Sequence, residues 1–510
     1  MEGMFMLRPL LFVFLAGYVF AQPTVDWAAL DAYVEKGLRE WEIPGAAIAV
    51  ATGDEILYAR GYGVLEIGGE EPADENTIFA VASNTKLFTA TALGLLVNEG
   101  KLEWESRPLD LVEGFEMHDD YATTHMTIRD LLCHRSGLGG NQGDIAAWGS
   151  DLTRREIIER LRYLEPVHGF RAGFGYSNSM FLVAGEAIPA VVDTSWDKFL
   201  ETRIFAPLGM TRTTTSVEAL EDMTNVARPH TMYDSVVVAH PYRNIDNYAP
   251  CGSINSTASD MIAWLQTQLN YGVRDGEQII DSATIGETRE PLISGGVGDW
   301  RAETFPHNHF SLYGLGVAID DYRGRALYHH SGGSDGMLSK AGFMPEEDVA
   351  VVVLTNYDNQ QFYDALFYYI WDRLLDAPEK DYAAIYRERF LENRRKAKEN
   401  EKTFAEERIE NAPPTLDLDA YEGTYENDFM GEVVVALNDA GELTMDVTIH
   451  PALKATLEHR HYDVFIAPWK DRGYGRSVIV FALGDDGKVE SFKTQISFDS
   501  TEYEFTKRKD

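Results

Sequence analysis

The period of the apolar residues changes along the chain, and the places where it changes restrict the folds open to it. Over 46–66, "AAIAVATGDEILYARGYGVLE" reads as two strands around a Gly53-Asp54 turn. An amphipathic helix over 28–41 precedes them, with Leu30, Tyr33, Leu38 and Trp41 at helical spacing. From residue 83 to about 264 helical patterns dominate, broken by the loop-like stretches "RSGLGGNQGD" and "YRNIDNYAPCGSINS". Strands return in "YGLGVAID", "RALYHH" and "VAVVVLTN", and a helix follows in "YDALFYYIWDRLLD". Strands near both ends and helices between them predict an α/β (α+β) domain with an antiparallel sheet, flanking helices and a helical insertion. A charged stretch over 378–412, with acids and bases interspersed, reads as a helical linker. Beyond Pro413-Pro414 the period is two: "GEVVVALNDAGELTMDV" and "SVIVFALGDDGKVESFKTQISF" read as hairpins turning at 438–441 and 484–487. They predict a small antiparallel β-barrel over 413–510.

Bulk properties narrow the function. The chain has 510 residues, 45% of them apolar, enough for two or three domains with their own cores. Its 45 basic and 82 acidic side chains give a net charge of −37, which repels phosphate backbones and anionic lipid. Nucleic-acid and membrane-surface partners are therefore not expected. The opening "MLRPLLFVFLAGYVFAQP" reads as a signal peptide over 1–21, with Arg8 before a short apolar run and Val19-Phe20-Ala21 at the cleavage site. A secreted or periplasmic protein, free of the membrane after cleavage, is the expectation. Cys133 and Cys251, the only cysteines, allow one disulfide but no disulfide framework. Metal-ligand spacings are missing from the sequence, so neither a metal nor another cofactor is expected. The sequon Asn255-Ser256-Thr257 reads as incidental.

Three short motifs carry chemistry. Ser83-Asn84-Thr85-Lys86 opens an apolar helix, and the i, i+3 spacing puts serine and lysine on one face. A lysine drawn into apolar surroundings loses its proton more readily and can serve as a base. A second Ser-x-x-Lys, Ser195 to Lys198, sits among Asp197 and Glu201 and reads as an ordinary exposed helix. Tyr176-Ser177-Asn178 leaves a glycine-rich turn and enters another apolar helix. There a phenol could relay a proton and an amide could bind a substrate. His330-Ser331-Gly332 lies on a strand that meets glycines, where a substrate can approach closely and Gly333 can offer an N–H to an oxyanion. Gly332-Gly333-Ser334-Asp335-Gly336 also fits the nucleophile-elbow pattern. An elbow needs a helix after the turn, and "MLSKAGFMPEEDVAVVVLTN" reads as strand, turn, strand.

In this order, each at an element boundary, the three motifs make the chain resemble the serine β-lactamase and penicillin-binding peptidase superfamily. It is most similar to the class C β-lactamase-related branch of esterases, D-aminopeptidases and DD-carboxypeptidases. "TIRDLLCHRSGL", "FAPLGMTRT" and "APCGSINSTASDMIAWLQ" extend the likeness over roughly 25–376, within a hydrolase domain bounded at 22–377. The resemblance implies that Ser83 is the nucleophile of an acyl-enzyme, Lys86 its base and Tyr176 a proton shuttle. By the same likeness Asn178, Ser331 and Gly332 bind substrate, and the N–H groups of Ser83 and Gly333 form the oxyanion hole. His330 stands where many members have lysine, which weakens recognition of a free carboxylate and points to peptides or esters ahead of β-lactams. The C-terminal part, opening "LDAYEGTYEND", resembles the lipocalin-like domain of some of these peptidases, associated there with restricted access or homo-oligomers. The alternative is a binding or assembly protein that keeps the fold without turnover.

Overall fold

The computed structural model describes residues 25–509, so the signal peptide expected over 1–21 lies outside the described residues. Helix α1 (Trp27–Trp41) starts at Asp26, whose side chain caps Ala29 N–H, and buries Leu30, Val34, Leu38 and Trp41 as one stripe. The expected hairpin follows as β1 (Gly45–Ala51) and β2 (Ile56–Gly63). The helical region contains α2 (Thr85–Asn98), α3 (Asn178–Val191) and α4 (Ala258–Leu269). The sheet resumes with β3 (Ile293–Ser294), β4 (Ser311–Tyr313), β5 (Ala318–Tyr322), β6 (Arg325–Ser334), β7 (Met337–Met344) and β8 (Val349–Thr355). Helix α5 (Phe362–Leu374) closes this part.

These strands form one antiparallel sheet in the order β2-β1-β8-β7-β6-β5-β4-β3. The N-terminal hairpin thus pairs with the last strand, Ile48 opposite Val353. Ala47, Ala49, Val352 and Leu354 share a core with Met261 and Trp264 of α4. Ala46, Ile48, Val351 and Val353 pack with Leu30 of α1 and Leu366 of α5. Both faces are covered, which is why every residue of β1 and β8 is buried and apolar residues dominate both strands instead of alternating.

Two segments differ from expectation. "YRNIDNYAPCGSINS" is not simply a loop: it holds helical turns at Asp246–Tyr248 and Ala249–Gly252. Its strand Asn255–Ser256 pairs with Phe79–Ala80, which buries the sequon. Helix α6 (Tyr382–Glu406) occupies the charged stretch, but its first turns are anchored. Tyr382 and Tyr386 are buried and donate to Asp372 and Asp364 at 2.9 and 2.7 Å.

Past α6, nine antiparallel strands from Gly423–Asn427 to Glu502–Lys507 form a nearly closed barrel. Tyr425, Phe481, Phe492 and Phe505 fill its interior with ring centroids 4.7–5.9 Å apart. Among the described residues no helix is long and apolar enough to cross a membrane.

Candidate active site

Strand Phe79–Ala80 leads into a 3-10 turn, Ala82–Asn84, and then directly into α2. Ala82 takes a φ of 47°, a left-handed conformation that a non-glycine residue holds only under tertiary constraint. The constraint is visible: Asn84 Nδ2 donates to Ser339 Oγ on β7 at 2.9 Å, and that hydroxyl donates to Val81 C=O at 2.8 Å. Helix α2 is buried on every side, so Lys86, in its first turn, is 0% exposed.

The lysine amine does not sit among carbons alone. Nζ lies 3.1 Å from Ser83 Oγ, 2.7 Å from Asn178 Oδ1 and 2.8 Å from the Cys251 carbonyl. The rings of Tyr176 and Phe181 cover it at 4.8 and 5.2 Å. A neutral amine has two N–H donors and one lone pair. Asn178 Oδ1 and Cys251 C=O can only accept, so they take both donors. The lone pair is left for the one partner that can donate, the Ser83 hydroxyl. An ammonium would find three acceptors in the same cage. The second Ser-x-x-Lys contrasts fully: Ser195 is a helix cap, and Lys198 pairs with Glu201 in solvent.

Helix α3 begins at the second motif. Asn178 Nδ2 donates to Asp144 at 2.6 Å while its Oδ1 faces Lys86, so both ends of the amide are engaged within the protein. Asp144 also accepts from Tyr248 OH at 2.8 Å. Burial pushes the Asp144 carboxyl up to about 6, against the opposing pull of Asn178, Tyr248 and Lys86. The loop ahead of α3 is fixed by its backbone: Tyr176 C=O accepts from Asn141 N–H at 2.7 Å, and Ser177 N–H donates to His134 Nδ1 at 3.0 Å. The His134 ring packs on the Tyr176 ring at 4.3 Å.

The third motif lies on β6, antiparallel to β7. His330 Nδ1 lies 2.6 Å from Ser331 C=O and can only donate there, so Nε2, 2.9 Å from Tyr313 OH, accepts the phenol's proton. Burial, reinforced by Lys86, pushes His330 down to about 3, so it is neutral at any physiological pH. Ser331 and Gly333 are exposed along the strand, whereas Gly332 is buried. A Cβ at Gly332 would overlap the Val81 carbonyl, so its bare backbone is what lets β6 approach the Ser83 turn. Ser334 ends a strand and is followed by a turn and β7, with no helix, as the elbow argument required.

The structure thus gathers Ser83, Lys86 and Asn178 by direct contact, with the ring of Tyr176 against the amine. His330 stands beyond Tyr176, ring centroids 6.1 Å apart. Sequence reasoning missed His134, Asp144, Tyr248, Tyr313 and Ser339. Their only signal was position inside "TIRDLLCHRSGL", "RSGLGGNQGD" and "YRNIDNYAPCGSINS", segments without a periodic pattern of their own, or on strands with no polar motif. Cys133 and Cys251 are buried and unpaired, and burial raises both thiols to about 12.

A family model described as Beta-lactamase matches residues 30–375, and one described as a domain of unknown function (DUF3471) matches 407–507. An unguisins hydrolase of Aspergillus violaceofuscus is 27% identical over 483 residues, 87% of this chain and 84% of that protein. Penicillin-binding protein 4 of Amycolatopsis lactamdurans is 27% identical over 320 residues, 62% of this chain and 82% of its own. Among solved structures, the octameric penicillin-binding protein homologue from Pyrococcus abyssi superposes with a TM-score of 0.63 at 22% identity. It covers 94% of this chain and 100% of its own.

Proposed function

Because the chain belongs to the β-lactamase family and carries that family's hydrolase fold, we propose that it is a secreted or periplasmic serine hydrolase cleaving amide or ester bonds through an acyl-enzyme on Ser83. The observation that carries this is the cage around Lys86, in which Asn178 and Cys251 fix the amine 3.1 Å from Ser83 Oγ. In this reading Ser83 Oγ attacks the substrate carbonyl as its proton passes to Lys86. The N–H groups of Ser83 and Gly333 receive the oxyanion. Tyr176, against the lysine amine, carries the proton on to the leaving group, and water then releases the acyl group. No metal or organic cofactor takes part.

Substrate preference follows from the surroundings of His330. A pocket of about 240 Å³ beside it is lined by Phe174, Tyr176, Leu312, Tyr313 and Ala318 and carries no fixed cation. A neutral His330 and an uncharged lining favour an uncharged group, so a peptide or ester fits better than the carboxylate of a β-lactam. That an unguisins hydrolase is among the relatives is in keeping with hydrolysis. The hydrolase domain spans 22–377, the helical linker 378–412 and the lipocalin-like barrel 413–510. Homo-oligomers, through the barrel, are read out by light scattering of the purified chain. A panel of β-lactams, D- and L-peptides and short esters, run on wild type and Ser83→Ala, tests the function. Turnover of neutral amides or esters that disappears in Ser83→Ala is expected. Turnover surviving in Ser83→Ala, or confined to β-lactams, contradicts the reading.

A further inference from the structure

Several loops of the barrel meet the segment beside the catalytic centre, and one of them carries a buried carboxylate. Between strands Val489–Gln495 and Glu502–Lys507 the chain places Asp499 at 0% exposure. One of its oxygens accepts from Gly143 N–H at 2.9 Å and from Tyr503 OH at 2.5 Å, and the other accepts from Thr501 N–H at 2.9 Å. Gly143 immediately precedes Asp144. It sits at a φ of 83°, and a Cβ there would lie 2.7 Å from Leu164 and 2.9 Å from Phe429 of the barrel. Further along the same segment Trp148 C=O accepts from His450 at 3.0 Å and Tyr474 OH at 2.7 Å, and Asp151 N–H donates to Ile449 C=O at 3.0 Å. The barrel therefore holds residues 143–151 from outside, while the same segment holds Asn178 from inside.

We propose that Asp499 is a positioning residue of the Ser83 centre, acting through Gly143 and Asp144 on Asn178 and Lys86, so that the barrel is needed for turnover itself. The proposal rests on the acyl-enzyme reading above. Its path is continuous: Asp499 to Gly143 N–H, Asp144 to Asn178 Nδ2, Asn178 Oδ1 to Lys86 Nζ, and Nζ to Ser83 Oγ. Each link is a hydrogen bond between groups buried from water or, at Ser83, lying at the cleft. Small displacements of the segment are thus passed to the amine, where orientation governs rate. A charge effect accompanies the geometry. Asp144 is faced by Lys86, Tyr248, Cys251, Asp499 and Tyr503, and of these Asp499 is the acid that opposes its ionisation.

The test compares full-length wild type, Asp499→Asn, Asp144→Asn and the double variant. It follows the rate of Ser83 acylation by a nitrophenyl ester across pH 4 to 9, with Lys493→Ala, an exposed change on a neighbouring barrel strand, as control. Asp499→Asn is expected to slow acylation on the order of tenfold and to move the acid limb of the pH profile downward. In the Asp144→Asn background it should add nothing further, because both act on one path. If Asp499→Asn does not fold, Tyr503→Phe, which removes one partner of the same carboxylate, goes through the same cycle. An unchanged rate and limb in a folded variant, or effects that simply multiply, overturn the proposal. If instead wild type is never acylated on Ser83, the acyl-enzyme reading fails and the positioning role falls with it. Normal acylation of wild type with no effect at Asp499 sinks the positioning role alone.

Discussion

At Lys86 Nζ the protein solves a specific problem: a base has to be held inside a fully buried helix without being stranded there. Asn178 and Cys251 supply oxygens that accept from the amine and hold it 3.1 Å from Ser83 Oγ. Lys86→Ala should therefore lower kcat/KM on the order of 10³-fold with the fold intact, read by ester turnover and circular dichroism. The pH profile belongs to a different residue. His330 is already neutral above about pH 3, so His330→Gln should leave the limb between pH 5 and 8 in place. Asp144, raised to about 6, titrates in that window, and its carboxylate form is the one that accepts from both Asn178 and Tyr248. Activity should rise with pH through about 6, and Asp144→Asn should remove that limb. Stability runs the opposite way. A carboxyl with a raised folded-state pKa favours the native state at low pH, and that advantage is lost as pH rises through about 6. Relative to Asp144→Asn, the wild type should lose about 2 kcal/mol between pH 4 and 7 in urea titrations, most of a two-unit pKa difference at about 1.4 kcal/mol per unit. The carboxylate is thus kept for the site at the expense of the fold.

At the scale of elements, the decisive contact is between β6 and the turn that carries Ser83. Gly332→Ala would drive a Cβ into the Val81 carbonyl. The strand and turn should separate, with a loss of about 2 kcal/mol in denaturant melts and a disproportionate loss of acylation. The motif residues were legible in the sequence because each stands at a helix start or on a strand, where spacing of three or two residues fixes which side chains meet. The sheet was legible through the apolar runs of β1 and β8 and through short strand-like stretches such as "YGLGVAID" and "RALYHH". Asp144 was not, because "GGNQGDIAAW" has no period and its partner Asn178 is 34 residues away. Nor was the surrounding of Lys86: "LFTATALGLL" announces an apolar sleeve, but the oxygens inside it come from α3 and from the turn at Cys251.

Over the whole molecule, two bodies of different period are joined by more than a linker. Asp499 and Gly143 are 356 residues apart in sequence, a separation at which no local pattern announces contact. Arg243 makes a second junction, pairing with Asp335 on the β6–β7 turn and with Asp471 of the barrel at 2.8 Å, its guanidinium 4.9 Å over Tyr474. Arg243→Ala should cost about 2 kcal/mol and split a single calorimetric transition into two, the barrel melting apart from the hydrolase domain. The filled aromatic interior of the barrel gives it a core of its own to melt. The central claim, that Ser83 is the nucleophile, is tested most directly by the mass of the intact protein and its peptides after an acylating probe. The account predicts one adduct on Ser83, absent in Ser83→Ala and formed far more slowly in Lys86→Ala; an adduct on Ser195 or Ser334 instead would contradict it.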